Sequence, residues 1–241
     1  MITALVEPGI VRVGALLELD SAEAHHLQVR RVESGERIRL LDGRGGVGMG
    51  VVSLNRKQAR VEVVEAVQIE RPPTLALAVG GGDRDRFSWL VEKAAELGVT
   101  DLIPLETERT ANVGTRVRDS HIEKLQSRAL EAIKQSGAAW APAVHDPLTL
   151  AEVLDAPGLK LVAEQGSLPL ARFDANQEIT CLIGPEGGWT ARETDLLAER
   201  GCTFVRLSPN VLRFETAALA LAVLVQDRRL PHPPPPLKLH V

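Results

Sequence analysis

The sequence is poor in the residues that cross-link small proteins. Its 241 residues include two cysteines, Cys181 and Cys202, which lie far apart and form no CxxC pair. A disulfide framework or a cysteine-rich zinc site needs several closely spaced cysteines. The sequence therefore argues against both, and we expect two buried, unpaired thiols, as is usual for free cysteine.

Long apolar runs and an excess of basic charge are also missing. No run approaches the roughly 20 residues of a membrane-spanning helix, and the N-terminus lacks the segments of a signal peptide. Lys and Arg total 28 against 32 Asp and Glu, which gives a net charge of −4. These features predict a cytoplasmic protein with no membrane or DNA partner, whose RNA affinity, if any, depends on the arrangement of its arginines.

Several common enzyme motifs are absent. The chain has no GxSxG elbow, no GxxxxGK[ST] loop and no HExxH pair, so it does not resemble an α/β hydrolase, a P-loop enzyme or a zinc hydrolase. Gly80-Gly81-Gly82 follows a predicted strand but lacks the third spaced glycine of a dinucleotide-binding turn. We expect no metal site and find only weak support for a dinucleotide.

What is present divides the chain into two patterns. Residues 1–71 contain short alternating strands with Gly-rich turns, which favour a small β-barrel. Arg71-Pro72-Pro73 is a stiff break, and residues 72–230 alternate strands with helices, as in an α/β domain with a mostly parallel sheet. Residues 231–241 form a Pro-rich tail.

One helix is predicted inside the β-rich region, over Ser21–Val32, with Ser21 as its N-cap. It carries Arg30 and Arg31, which suit phosphate contacts because guanidinium binds phosphate in a bidentate way. Two solvated surface arginines are an equally good interpretation.

Two stretches near the C-terminus each run from a strand through a turn into a helix. The first is Ile183-Gly184-Pro185-Glu186-Gly187-Gly188-Trp189-Thr190, and Thr190 with Glu193 forms a capping box. The second extends from Leu207 to Ala218. Turns of this kind present backbone N–H groups to a ligand, so the two together predict a pocket for one small molecule.

The last helix is apolar on every side. Residues 217–225 read Ala-Ala-Leu-Ala-Leu-Ala-Val-Leu-Val. Such a helix must be buried all round, which predicts a homodimer through this element. Burial within a single chain is the alternative.

The order of these motifs resembles the RsmE family, the bacterial 16S ribosomal RNA uridine-N3 methyltransferases. The resemblance spans the chain and rests on the two stretches above together with four earlier blocks: His25-His26-Leu27 with Val29-Arg30-Arg31, the run from Val91 to Val99, Ile103-Pro104-Leu105 with Glu108-Arg109-Thr110, and the run from Glu131 to Gly137.

The resemblance implies an N-terminal PUA-like barrel and a SPOUT methyltransferase domain with a deep trefoil knot. Chains generally avoid knots, so the knot is implied by the resemblance alone. The family also implies a homodimer, 16S rRNA of the small ribosomal subunit as partner, and S-adenosylmethionine as cofactor. The residues implied to bind this cofactor are Ile183, Gly184, Pro185, Glu186, Gly188, Leu207, Asn210 and Leu212.

Methylation of uracil N3 requires removal of a proton and stabilisation of the charge on O2 and O4. Arg213 is the candidate for charge stabilisation because its guanidinium stays protonated. Glu215 is the candidate base, although it could equally be a structural partner of Arg213, and Glu186 has the same ambiguity. The candidates for RNA phosphate contact are Arg30, Arg31, Arg84, Arg86 and Arg109.

The chain departs from the family at two positions. Gly80-Gly81-Gly82 stands where a Lys is frequent, and Ala138 where an Arg is frequent. Both changes put local RNA or cofactor contacts in doubt, with Arg84 and Arg86 as possible substitutes. The alternatives are therefore a SPOUT methyltransferase acting on another RNA, and a catalytically silent RNA-binding assembly protein.

Overall fold

A computed structural model describes residues 1–55, 58–110, 113–114 and 116–230. The predicted tail, 231–241, lies outside the described residues. The chain forms two compact units, of which the first contains Met1–Pro72 and Ser127–Pro142, and the second contains Pro73–Gln126 and the chain from Ala143 onward. The predicted domain ranges, 1–71 and 72–230, did not assign Ser127–Pro142 to the first unit. As domain ranges they remain a prediction.

The first unit is built on a five-stranded sheet. Its strands are β1 (Thr3–Leu5), β2 (Leu16–Glu18), β3 (Arg37–Leu41), β4 (Gly46–Leu54) and β5 (Ala59–Gln68). The order is β1-β3-β4-β5-β2, with β1 parallel to β3 and every other pair antiparallel. In the described residues β1 and β2 are the two edges of the sheet, which therefore does not close into a full barrel. The sheet is a curled half-barrel of the PUA-like kind.

Helix α1 (Ser21–Val29) covers the apolar face of this sheet, where Leu27 packs into a core with Ile38 and Val61. The prediction that Ser21 is the N-cap is wrong. The Asp20 carboxylate accepts the Glu23 N–H at 2.8 Å, so the N-cap lies one residue earlier than predicted and Ser21 is the first residue of the helix. A carboxylate is favoured there because it also complements the helix dipole.

The second unit contains a parallel sheet of seven strands, as predicted. They are β6 (Leu75–Val79), β7 (Asp101–Glu106), β8 (Ala143–Val144), β9 (Leu148–Thr149), β10 (Leu159–Leu168), β11 (Ile179–Ile183) and β12 (Thr203–Val205). The order is β12-β10-β11-β6-β7-β8, and β9 also pairs with β7. β6 and β11 are buried along their whole length, which explains their uninterrupted apolar sequences.

The remaining helices of the described chain are α2 (Arg84–Glu96), α3 (Ile122–Ser136), α4 (Leu150–Asp155), α5 (Ala191–Glu199) and α6 (Phe214–Arg229). A short 3-10 turn, Asp119–His121, precedes α3. The boundary between the two units falls inside α3. The predicted capping box of α5 is confirmed, because Glu193 Oε2 accepts the Thr190 N–H at 2.9 Å and Thr190 Oγ1 accepts the Glu193 N–H at 3.2 Å.

The late insertion of β11 between β6 and β10 determines where a ligand can bind. In a parallel sheet the carboxyl ends of all strands lie at one edge, so the loops after β10, β11 and β12 meet there. α6 starts from the same edge and packs on β6, β10, β11 and α2. Its far end is held by Arg229, which donates to the carbonyls of Pro73, Thr74 and Gln177. The trefoil knot stays a prediction.

The remaining predictions concern thiols and membranes. Both cysteines are free, and burial raises the pKa of Cys181 to about 12. Cys202 is only partly buried, which corrects the expectation of two buried thiols. Within the described residues, no helix has the length and apolar character to cross a membrane.

Candidate active site

The Ile183–Thr190 loop is shaped by close packing between a glycine and a tryptophan. Strand β11 ends at the buried Ile183, and a Cβ added to Gly184 would lie 3.0 Å from Trp189 Cε2. Gly188 has φ +70°, a left-handed conformation that favours glycine. The backbone of this loop therefore lies close to the Trp189 indole, and one side of the loop is left open.

This open side faces a cavity of about 220 Å³. The cavity lies at the carboxyl ends of β10, β11 and β12 and at the start of α6. Its lining residues are Ala163, Glu164, Gln165, Ile183, Gly184, Pro185, Glu186, Gly188, Trp189, Leu207, Ser208, Asn210, Val211, Leu212, Phe214 and Ala217. All eight residues predicted to bind a cofactor are in this set, although their contact with a ligand remains a prediction.

The chemistry of the lining suits an amphipathic ligand with an aromatic part. Leu207, Leu212, Phe214 and Ala217 supply apolar surface. Trp189 Nε1 is buried and has no hydrogen-bond partner among the described residues, so a ligand acceptor could satisfy it. The bare backbone at Gly184 permits close approach of a nucleoside. These features fit the adenosine and methionine parts of S-adenosylmethionine.

Sequence reasoning missed the part of the cavity wall that β10 contributes. Ala163, Glu164 and Gln165 line it because β10 continues to Leu168, beyond Val162, the last of its residues that pairs with β11. Burial raises the pKa of the Glu164 carboxyl. These residues could have been predicted from the fact that the carboxyl end of a strand parallel to β11 lies beside the loop that follows β11. That prediction requires the order of the strands in the sheet, which was not known from the sequence.

The two predicted catalytic residues lie next to the cavity but not in its lining. Arg213 is the N-cap residue of α6 and is exposed, between the lining residues Leu212 and Phe214. Glu215 is 9% exposed, and its Oε2 has no hydrogen-bond partner within the described chain. The structure therefore puts neither residue in the predicted pocket, and their catalytic roles stay predictions.

A second, charged groove of about 450 Å³ borders the same loop. It is lined by Gly82, Asp83, Arg86, Arg109, Thr110, Val113, Pro185, Glu186 and Gly187. Two of the arginines predicted to contact RNA are thus brought together. Arg86 lies 4.0 Å from the Glu186 carboxylate, and Arg109 Nη1 donates to the Gly188 carbonyl at 3.3 Å.

The other predicted RNA contacts lie elsewhere. Arg84 is outside the groove lining and has its Nη1 at 2.8 Å from His121 Nε2. Arg30 and Arg31 belong to the first unit, where they are exposed at the C-terminal end of α1, and Arg31 has φ 56°. Among the described residues, no group of three or more His, Cys, Asp or Glu is suited to a metal ion.

Comparisons with known proteins agree with this geometry. A family model described as an RNA methyltransferase domain matches residues 70–226, and one described as an RNA methyltransferase PUA domain matches residues 19–64. The ribosomal RNA small subunit methyltransferase E of Synechocystis sp. is 32% identical over 87% of this chain and 73% of the relative. The protein of that name from Aquifex aeolicus is 28% identical over 90% and 96%.

Solved structures are similar over most of the chain. The ribosomal RNA small subunit methyltransferase E of Neisseria gonorrhoeae, bound to S-adenosylmethionine, has a TM-score of 0.83 and 29% identity, over 94% of this chain and 97% of that one. A methyltransferase of Legionella pneumophila with bound S-adenosylmethionine has a TM-score of 0.81 and 27% identity, over the same shares.

Proposed function

Because the chain belongs to the ribosomal RNA small subunit methyltransferase E family, we propose that it methylates N3 of a uridine in 16S rRNA, using S-adenosylmethionine. The observation that carries the proposal is the cavity at the strand ends, in the unit that matches the methyltransferase model. Eight residues chosen from the sequence line this single cavity, and its chemistry fits the cofactor.

The chain's own groups hold and orient the reactants. S-adenosylmethionine, when bound, supplies a methyl group on a positively charged sulfur and leaves as the neutral thioether. The backbone at Gly184, Leu207 and Leu212 would hold it, with Trp189 against the nucleoside part. Contacts with the cavity wall would fix the orientation of the reacting groups, which is the main requirement of such a displacement.

Arg213 is proposed to stabilise the negative charge on O2 and O4 when N3 loses its proton. Its exposed position between two lining residues supports this role, because the side chain can reach a base at the mouth of the cavity. Glu215 is the candidate proton acceptor. Its buried, unpartnered Oε2 supports a functional role, while a structural partnership with Arg213 stays the alternative.

The RNA side of the proposal rests on the arginines. Arg30, Arg31, Arg84, Arg86 and Arg109 are proposed to contact phosphates of 16S rRNA. Guanidinium suits this role because it binds phosphate in a bidentate way. Since the proposed substrate is ribosomal, we expect a cytoplasmic protein with no DNA or membrane partner.

We propose that the homodimer forms through the exposed face of α6. Ala218, Leu221, Ala222 and Val225 are buried within the chain, whereas Val223 is 47% exposed on the opposite side. An apolar helix face open to water favours a second copy. Light scattering after size exclusion measures this directly, and a monomer at micromolar concentration would contradict the dimer.

The function is tested in a strain that lacks the gene. We expect 3-methyluridine to disappear from its small-subunit RNA in nucleoside mass spectrometry, and to return on complementation with the wild-type chain. Persistence of 3-methyluridine there with loss from another RNA would favour the alternative substrate. Failure of the purified protein to bind S-adenosylmethionine in calorimetry would favour a catalytically silent assembly protein.

A further inference from the structure

The triple-glycine turn after β6 is packed beside the cofactor cavity. Gly80, Gly81 and Gly82 are all buried. The Gly80 N–H donates to the Ile183 carbonyl at 2.9 Å, which continues the pairing of β6 with β11 by one more hydrogen bond. The turn is therefore fixed next to the loop that forms one wall of the cavity.

Gly81 is required by lack of space and not by backbone conformation. Its φ lies outside the left-handed region, so other residues could adopt the same backbone geometry. A Cβ added to Gly81 would lie 2.6, 2.7 and 2.9 Å from Cε2, Cζ and Cδ2 of Phe214. Carbon atoms in contact are normally about 3.5–4.0 Å apart. The Phe214 ring therefore occupies the space that a side chain at position 81 would need.

Phe214 also forms part of the cavity wall. It is the first residue of α6, is 2% exposed and belongs to the cavity lining, whereas Gly81 does not. Its ring thus contacts the turn and the cavity at the same time. The position of this ring is determined by what stands behind it, and here that is a bare glycine backbone.

Helix α6 is held at its other end and cannot easily retreat from the turn. Gln226 Nε2 donates to two carbonyls just after α2, at 2.9 and 3.1 Å, and Arg229 donates to three carbonyls beside β6 and β11. A methyl group added to a close-packed interior forces its neighbours out of their preferred rotamers. A methyl group at Gly81 would therefore displace the Phe214 ring, and the open space beside that ring is the cavity.

We propose that Gly81 is a positioning residue for the cofactor: by leaving room for the Phe214 ring, it sets the width of the cavity and the affinity for S-adenosylmethionine. The inference rests on the proposed function, because that function assigns the cavity to this cofactor. It adds a residue that lies outside the cavity lining. Gly81 and Phe214 act as a pair, in which the size of one side chain limits the size of the other.

The experiment measures the Kd for S-adenosylmethionine by calorimetry on the full chain. Gly81→Ala should raise this Kd by about tenfold, because the displaced ring narrows the cavity. Adding Phe214→Leu should relieve the clash, so the double variant should bind more tightly than Gly81→Ala and within about threefold of Phe214→Leu alone, as expected for residues in direct contact.

Gly114→Ala is the matched control. Gly114 is exposed, its φ also lies outside the left-handed region, and a Cβ added there would meet no heavy atom of the described residues within 4 Å. Its Kd should equal that of the wild type. A Kd for folded Gly81→Ala within about twofold of the wild type, or no recovery in the double variant, would overturn the proposal.

Folding is measured separately by chemical denaturation, and each Kd is taken where the variant is folded. If Gly81→Ala does not fold, the double variant should regain both folding and cofactor binding. Failure of the double variant to fold, while Phe214→Leu alone folds, would overturn the pairing. A folded Gly81→Ala that is less stable but binds the cofactor normally would show that the glycine serves stability alone.

These outcomes are separate from those that test the proposed function. A wild-type chain that does not bind S-adenosylmethionine contradicts the proposed function and the role of Gly81 together. A wild-type chain that binds the cofactor no better than Gly81→Ala does contradicts only the role of Gly81, whether or not 3-methyluridine disappears in the deletion strain.

Discussion

The two sides of the Ile183–Thr190 loop differ in how they are built. The cofactor cavity is assembled from the ends of neighbouring parallel strands, and its wall combines apolar side chains with polar ones, including the carboxylates of Glu164 and Glu186. The groove on the other side is formed by α2, the segment after β7 and the loop itself, and it contains four charged residues. The sheet thus fixes the geometry of the first, whereas surface side chains determine the chemistry of the second.

The two spaces also differ in charge, because the cavity lining contains two carboxylates whereas the groove lining brings Arg86 and Arg109 together. A nucleoside with a thioether chain is held by apolar contact and backbone groups, which need small residues such as Gly184. A nucleotide in RNA is held by charge, which needs arginine. Variants on one side of the loop should therefore leave the other side intact, and four predictions test this separation.

The largest effect is expected for Arg213→Ala. Removing a preorganised charge from a developing oxyanion costs about 10²–10³-fold in kcat. The Kd for S-adenosylmethionine should change little, because Arg213 is outside the cavity lining. Single-turnover transfer and calorimetry measure the two quantities. Equal loss of both would mean that Arg213 organises the cofactor cavity.

Gly184→Val is expected to weaken cofactor binding by about 100-fold, since its branched side chain would displace Trp189, which lines the cavity. Calorimetric titration with S-adenosylmethionine measures the change, with circular dichroism as a check on folding. Binding of uridine 5′-monophosphate should be retained. Loss of the nucleotide together with the cofactor would contradict the separation of the two sides.

Glu193→Ala should destabilise the Ile183–Thr190 loop, and therefore affect the cavity and the groove about equally. The Glu193 carboxylate is 5% exposed and accepts the N–H groups of Thr190 and Glu108, each at 2.9 Å, so it ties the loop to the segment that carries Arg109. We expect the free energy of unfolding to fall by about 2 kcal/mol, from loss of the cap and of bonds to a charged group.

The control is Glu199→Ala, an exposed position on the same helix, which should change the free energy of unfolding by less than about 0.5 kcal/mol. Chemical denaturation measures both variants. A difference below about 0.5 kcal/mol between them would mean that the buried carboxylate does not hold the loop.

Trp189→Phe should have the smallest effect. It keeps an aromatic ring beside Gly184 but removes the unpartnered Nε1. If the cofactor accepts a hydrogen bond there, its Kd should rise by about threefold to tenfold, the value of one net hydrogen bond. An unchanged Kd would show that the indole acts by packing alone.

Local features of this fold follow from the sequence more readily than the surfaces it assembles. The bounds of β6 and β11, the capping box of α5 and eight cavity residues depend on short-range patterns and on the family motifs. The prediction of Ser21 as the N-cap of α1 is wrong because Asp20, directly before it, is an equally good capping residue, and the local pattern does not distinguish the two.

The groove required information that no local pattern contains. Arg84 and Arg86 are two residues apart on α2, yet one faces His121 and the other faces Glu186, since neighbouring helical positions point in different directions. Arg109 joins Arg86 only because β6 and β7 are adjacent in the sheet. Segment Ser127–Pro142 likewise joins the first unit through tertiary contacts alone.

A crystal structure of the chain with S-adenosylhomocysteine and uridine 5′-monophosphate would test the central claim most directly. The account predicts the cofactor product against Gly184 and Leu212, and the uracil base at the mouth of the same cavity beside Arg213. Finding the cofactor product outside the cavity, or the base away from Arg213, would contradict it.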